Sequence, residues 1–529
     1  MNRLLNRTNK RISLGSAATL LIGVTMAGQA LGFLRIRLIS ANFTSVNPGS
    51  SDAFFTAFQI PDFFFYTIAA GALGVAFIPI LSDKLHAGDR KSLWEIANSL
   101  LNSLAIAMAI VGVVIFIFAD HLIKLLAPEL PAQHMREAVI IMRLIAFNPL
   151  LFTLTGVITS IQQTFGRFFF FAIAPLFYNT AIIASIFMFR HSVGIIGLGL
   201  GALVGGILQL CVAWLGMNGL KYKYKPEIKW DNVGFKKVIK QLPARSIDQG
   251  IDQANSMVEI NRATALGAGA VSSYSFALTL QNVPIMLIGT SIATAAFPRL
   301  TERLSQGRPD LFRKEFLQIL RTMIWMTVPV SIVAFFCRGY LARLIVGDVS
   351  QQVALIFGFL TVAIIFRIIY SMVSRYFYAY KDTKTPLIVS IFAIGLNIIL
   401  AFTLARKSSY GITGLALAQS IVAVVEVSIL IAVMLWRDHK LFHNLEFWSG
   451  MWRIIGVSGF CVVAGFIMLQ IYPLGISDRG LITIGAKVVA IAAVVFTVHI
   501  SLSSLFGLQE ASTVLGRIKR LIVRPIRIQ

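Results

Sequence analysis

Arg245, Asp248, Asp252, Asn255, Glu259 and Arg262 follow one another at steps of three, four, three, four and three residues, so on a helix all six share one face. Five of the six carry charge. Guanidinium groups suit phosphate, because their planar fork matches its oxygens. Asp248 and Asp252 are one turn apart; two carboxylates held that close in a low dielectric favour sharing one proton or binding one cation. Two further sets of cations sit in apolar surroundings: Arg35 with Arg37, and Arg367 with Arg375, eight residues apart and roughly on one face. Charges at this density cannot face lipid, so they must face one another or an aqueous cleft. The plainer alternative is that Arg245 and Arg262 only pair with Asp248 and Glu259 at i, i+3 to make the segment tolerable.

The surroundings of these charges are membrane-like. Of 529 residues 57% are hydrophobic and only 13% charged, where a soluble protein would carry about a quarter charged. The net charge of +24 would suit nucleic acid, but most basic residues fall in short loops between apolar runs, where they set topology and attract anionic lipid, and that is the better reading. The Lys-rich 221–240 segment is the longest of these and reads as a solvated, lipid-attracted loop. Cys211, Cys337 and Cys461 lie far apart in apolar runs without metal spacing and read as buried packing thiols. No P-loop, HExxH or nucleophile–base set occurs, which argues against an enzyme, a cofactor or a self-powered ATPase.

Fourteen apolar runs are long enough to span a bilayer, at about 13–42, 53–82, 93–119, 137–163, 169–190, 194–216, 238–265, 270–298, 315–337, 352–379, 385–405, 411–436, 449–472 and 481–506. Alternate loops then carry about 29 Lys and Arg on one side against about 8 on the other, which predicts cytoplasmic termini. The alternation fails if the charged seventh run is left out.

The chain also repeats itself. "PILSDKLHAG" from Pro79 matches "PRLTERLSQG" from Pro298, and "GIIGLGLG" from Gly194 matches "GITGLALA" from Gly411, at offsets of 219 and 217. Runs 1–6 and 7–12 are therefore copies of one unit. Six is even, so the copies are parallel repeats, and transport folds of this kind place their site at the repeat interface. The expected fold is an all-α polytopic membrane protein with two six-helix lobes, residues 1–220 and 238–440. A basic linker at 221–237, a helix pair at 441–507 and a basic tail at 508–529 complete it.

Four stretches, "LGFLR", "SDAFFTAFQIPDFF", "GALGVAFIPILS" and "FYAYKDTKTP", resemble the MurJ (MviN) lipid II flippases of the multidrug/oligosaccharidyl-lipid/polysaccharide exporter superfamily. The resemblance implies a monomer in the bacterial inner membrane whose terminal helix pair lines a groove for a lipid tail. Its implied substrate is undecaprenyl-pyrophosphate carrying the peptidoglycan precursor, moved outward by alternating access; cell-wall synthesis proteins are the implied further partners. Residue by residue, the resemblance assigns substrate contact to Arg35 and Asp52, and Arg37, Arg245, Arg262, Arg367 and Arg375 are the cations able to supplement them. The chain departs from the family's cations at Gln29, Phe65, Tyr66 and Thr279, and from its acid at Ile36.

With no ATPase, an ion gradient or the membrane potential must drive transport. Asp248, Asp252 and Glu259 are the candidate coupling acids, and the resemblance adds Asn397 and Gln419 as partners of Glu259, with Na+ or H+ as the ion. Ala401 stands where a further polar ligand is expected. Two rival functions remain open at this point: a cation-coupled exporter of another lipid-linked glycan or small amphiphile, and a scaffold whose stripe is closed by internal salt bridges.

Overall fold

Both repeated motifs fold alike. "PILSDKLHAG" and "PRLTERLSQG" each end a helix on a glycine with positive φ, Gly88 at +73° and Gly307 at +68°. In each, the glycine N–H and the one after it bond back to the last helical carbonyls: Gly88 to Leu85 and Asp89 to Lys84, Gly307 to Leu304 and Arg308 to Arg303. This is the left-handed helix stop that glycine permits without Cβ strain. "GIIGLGLG" and "GITGLALA" each open a helix at a close crossing. A Cβ on Gly197 would lie 2.3 Å from Phe189, and one on Gly414 would lie 2.4 Å from the Leu404 carbonyl oxygen.

These motifs belong to a computed structural model that describes residues 14–70, 77–347, 350–475, 478 and 480–512. Among the described residues every regular element is helical. The chain divides into two compact units, Met1–Ser272 and Ser273–Gln529.

The first unit contains α1 (Leu14–Ile39), α2 (Pro48–Phe64), α3 (Ile78–His86), α4 (Arg90–Leu126), α5 (Ala132–Ile145), α6 (Asn148–Thr164), α7 (Phe169–Phe189), α8 (Ile196–Leu215) and α9 (Val233–Thr264). A π-helical stretch, Phe65–Ala70, follows α2. Two apolar clusters hold the unit, one around Ile39, Phe54, Ile115, Ile141 and Ala202, the other around Phe77, Leu93, Leu100, Ile161 and Phe235. The helix bearing the charged stripe, α9, packs on α2, α4 and the Phe65–Ala70 stretch, and Asn261 donates to the Leu126 carbonyl at 2.9 Å. Duplication and packing thus divide the chain at different places: the seventh expected run belongs to the first compact unit.

The second unit holds α10 (Ala270–Pro284), whose first turn closes the first unit, then α11 (Ser291–Ser305), α12 (Pro309–Phe336), α13 (Arg338–Val346), α14 (Ser350–Ala379), α15 (Lys384–Leu404), α16 (Thr413–Arg437), α17 (Leu445–Ile471) and α18 (Leu481–Leu505). A π-helical stretch at Ile285–Thr290 separates α10 from α11, at the place in the repeat where Phe65–Ala70 follows α2. Each such stretch widens the backbone by one residue per turn, a device common at working sites.

Eleven helical segments among the described residues are long and apolar enough to cross a bilayer. Helices α1, α2 with α3, and α9 fall at the three other expected runs. Cys337 and Cys461 are buried as expected, but Cys211 is exposed. It lies on the outward face of α8 beside Leu208 and Trp214, also exposed, so its apolar context reflects lipid rather than core.

Candidate substrate site

In the first unit the charges gather where α1, α2 and α7 meet. Arg35, in the last turns of α1, is half-buried and lies within electrostatic reach of Asp62 on α2 and Tyr178 on α7; Tyr66 joins through Asp62. The Arg35 Nε is shielded from solvent and meets no hydrogen-bond partner. Its carboxylate neighbour offsets its charge but leaves the Nε–H unspent, and an anion-accepting arginine needs a donor to spare. Arg37, two residues on and so roughly 200° round the helix, is half-buried on another face.

On α9, Asn255 donates to Glu259 at 3.0 Å, so the stripe does share a face there, and Glu259 is buried while Asp252 is exposed and Arg262 half-buried. The side chains of Arg245 and Asp248 lie outside the described residues. Asp52 is held by the backbone. It accepts the backbone N–H groups of Gly269 at 2.6 Å and Ser272 at 2.7 Å, capping the turn that leads into α10. A Cβ at Gly269 would lie 2.9 Å from the Pro48 ring, so this junction is as tight as its residues allow.

In the second unit Arg367 and Arg375 diverge. Arg367 on α14 approaches Glu426 on α16 at 3.5 Å, and Glu426 also accepts from Ser390 of α15 at 2.9 Å, with the Tyr370 hydroxyl 3.1 Å from Ser390. Arg375 instead lies over the rings of Phe297 at 5.4 Å and Tyr378 at 5.8 Å. Asn397 is buried in α15 and Gln419 half-buried in α16. Glu259 therefore stands in the first unit and its two expected partners in the second.

Two carboxylates of these clusters were not among the expected site residues. Asp62 lies inside the quoted stretch "IPDFF", and Glu426 is the one acid in the 25 residues of α16. The signal for both is the same: a carboxylate within an apolar span is a functional candidate by default.

A helical, polytopic fold built on a repeated unit, with arginines and carboxylates inside its spans, defines a multi-pass membrane transporter. Residues 48–477 match the family described as Lipid II flippase MurJ, and the chain belongs to that family. The probable lipid II flippase of Borreliella burgdorferi is 23% identical over 431 residues, covering 80% of this chain and 84% of its own. That of Rhizobium meliloti is 26% identical over 440 residues, covering 79% and 80%. Among solved structures, a lipid II flippase MurJ in an inward closed conformation superposes with a TM-score of 0.74 at 23% identity, covering 92% of this chain and 98% of that one. An inward-facing MATE multidrug resistance transporter of the MOP superfamily reaches 0.60 at 17% identity, covering 81% and 99%.

Proposed function

We propose that the chain carries lipid II, the undecaprenyl-pyrophosphate-linked peptidoglycan precursor, from the inner to the outer leaflet of the bacterial cytoplasmic membrane, as a transporter rather than an enzyme. Family membership supports the substrate, and the observation that carries the site is Arg35, half-buried beside Asp62 with its Nε unpartnered. Arg35 takes the diphosphate, with Arg37, Arg245 and Arg262 as supplementary cations. Arg367 is restrained by Glu426 and Arg375 by aromatic rings, so these two tune the second lobe. Asp52 contributes by fixing the junction before α10 rather than by touching substrate.

The two lobes alternate access, and the basic loops keep both termini cytoplasmic. Moving each negative charge outward across an inside-negative membrane is favoured by about 2.3 kcal/mol per 100 mV, so the potential alone can give direction. A Na+ or H+ taken up by Asp248, Asp252 and Glu259, with Asn397 and Gln419, is the coupling proposed beside it.

In cells depleted of their own flippase, Arg35→Ala is expected to abolish growth at undiminished membrane abundance, with Arg35→Lys intermediate. Full complementation by Arg35→Ala would remove the substrate role. Glu259→Gln is expected to change the ion dependence of transport in vesicles; an unchanged response would discard the coupling.

A further inference from the structure

The basic segment between α8 and α9 is not a free loop. Asn98 and Asn102, one turn apart on α4, bind it like two clips. Asn98 donates to the Lys223 carbonyl at 3.3 Å and accepts from the Tyr222 hydroxyl at 2.6 Å and the Lys225 N–H at 3.4 Å. Asn102 donates to the carbonyls of Lys225 at 2.8 Å and Glu227 at 3.0 Å and accepts from the Tyr224 hydroxyl at 2.9 Å. Both amides are buried, and each uses its donor and its acceptor side. Ser99 and Asn232 add bonds beyond them, to Lys229 and to Ser92 and Glu95.

The sequence Lys221-Tyr222-Lys223-Tyr224-Lys225 therefore lies as a strap along α4. Its tyrosine hydroxyls turn to the helix, while its three lysines are exposed and form no salt bridge among the described residues. Directly against this strap is a groove of about 500 Å³, lined by Leu101 and Ala105 of α4, Leu154 and Ile158 of α6, Leu210, Cys211 and Trp214 of α8, and Tyr224. It opens on a wall of exposed apolar side chains, Ile106 and Ile110 on α4 and Val204 and Ile207 on α8, which in a membrane-spanning unit faces lipid.

We propose that this groove holds an acyl chain of an anionic phospholipid of the inner leaflet, with the lipid phosphate on the ammonium groups of Lys221, Lys223 and Lys225. The occupant follows from complementarity: an apolar slot of about 500 Å³ borders, at Tyr224, a cationic strap held in place by Asn98 and Asn102. An aromatic belt at that rim, Trp94 at 5.2 Å and Trp214 at 6.1 Å from the Tyr222 ring, matches the depth of lipid headgroups. The inference needs only that the unit lies in a bilayer with its basic loops on the cytoplasmic side, and is independent of what the protein transports.

Cys211 supplies the assay, because it lines the groove and is exposed while Cys337 and Cys461 are buried. Purified full-length protein in a neutral, delipidating detergent is treated with N-ethylmaleimide and the adduct counted by intact mass, with Cys211→Ser as the control. Phosphatidylglycerol is expected to protect Cys211 at about tenfold lower concentration than phosphatidylcholine, since each lysine near an anionic surface adds attraction. A Lys221→Gln, Lys223→Gln, Lys225→Gln variant of unchanged melting temperature is expected to lose that preference but keep weak protection by both lipids. Leu101→Trp, which fills the groove, is expected to abolish protection by either. Equal protection by the two lipids, an unaltered preference in the triple variant, or an unreactive Cys211 in lipid-free protein would overturn the proposal. Protection by undecaprenyl phosphate but not by phosphatidylglycerol would also overturn it, and would give the groove to an isoprenoid tail instead.

Discussion

Replacing Asp382 should loosen the second unit by an amount that can be worked from its bonds. Asp382 lies in "FYAYKDTKTP", one of the four stretches that carry the family resemblance. Its Oδ1 accepts the N–H groups of Lys384 and Thr385 at 3.0 Å each, and Oδ2 accepts the Thr385 hydroxyl at 2.6 Å and a guanidinium N–H of Arg437. It is thus the cap of α15 and the anchor for the end of α16. Losing such a cap costs about 1–2 kcal/mol, and losing a partly exposed ion pair adds about 0.5 kcal/mol. Asp382→Ala should therefore destabilise by about 2 kcal/mol, a fall of about 4–8 °C in melting temperature for a unit of this size. Asparagine still caps but carries no charge, so Asp382→Asn should cost about 0.5–1 kcal/mol. In the Asp382→Ala, Arg437→Ala cycle the coupling should be about 0.5 kcal/mol. Burial works to raise the Asp382 carboxyl, but the Thr385 hydroxyl and N–H and the Arg437 guanidinium outweigh it and hold the group down to about 2. A depressed carboxylate stabilises fully above its unfolded value, near 3.9, and the gain is lost as pH falls from there toward 2. The difference between wild type and Asp382→Ala should accordingly shrink across that window. Melting of detergent-purified protein followed by intrinsic fluorescence measures both. An Asp382→Ala protein as stable as wild type but unable to support growth would refute the capping account and point to contact with substrate.

Other outcomes follow from packing. A Cβ at Gly205 would meet the Tyr178 backbone at 3.0–3.1 Å, so Gly205→Leu should force α7 and α8 apart and cost more than about 2 kcal/mol; Gly456→Ala, with nothing within 4 Å, should be close to neutral in the same melting assay. Glu426→Ala should cost about 1–3 kcal/mol by stranding Arg367 and Ser390, whereas Glu426→Gln keeps the serine bond and should lose less; equal losses would show that charge alone matters. Releasing the strap by Asn98→Ala with Asn102→Ala should speed tryptic cleavage after Lys223 by about tenfold, as expected when about 1–2 kcal/mol of local stability is lost, and an unchanged rate would mean that the two amides do not hold it.

The fold was legible because its strongest signals are local. Apolar length gave most of the spans, loop alternation the charged seventh, and the repeated motifs the duplication; both copies of the first motif end in backbone geometry that only a short list of residues allows, as Gly88 and Gly307 show. The site was legible only in part. Spacing placed Asn255 and Glu259 on one face because i, i+4 is a helical constant. It could not tell that Arg367 and Arg375 part company, since that depends on which neighbour each long side chain reaches, Glu426 on α16 or Phe297 on α11. The capping by Asp52 was not legible, because a capping aspartate and a binding aspartate have the same chemistry in sequence; the N–H groups of Gly269 and Ser272 at the start of α10 show the cap. In sequence the strap reads as a solvated loop because lysine dominates it, while the asparagines that fix it lie more than a hundred residues earlier.

The two units meet one mechanical need with opposite chemistry. In each, the loop between the repeat's fourth and fifth spans is tied to the end of its sixth. In the first unit the loop supplies the cation: Arg167 donates to the carbonyls of Gly216 at 3.2 Å and Asn218 at 2.5 Å, beside Gln162, which donates to Ala213 at 2.6 Å. In the second the helix supplies it: Arg437 ends α16 and the loop answers with Asp382. The last carbonyls of any helix lack intrahelical partners, so an arginine can bind them whatever side chains they carry. The first tie therefore depends on Arg167 and on the room that Gly216 leaves for Gln162, where a Cβ would approach to 2.4 Å. The second depends on two complementary side chains. In the alternating access proposed above each lobe moves as a body, and in both units these ties join helices that the connecting loops alone would leave free to slide.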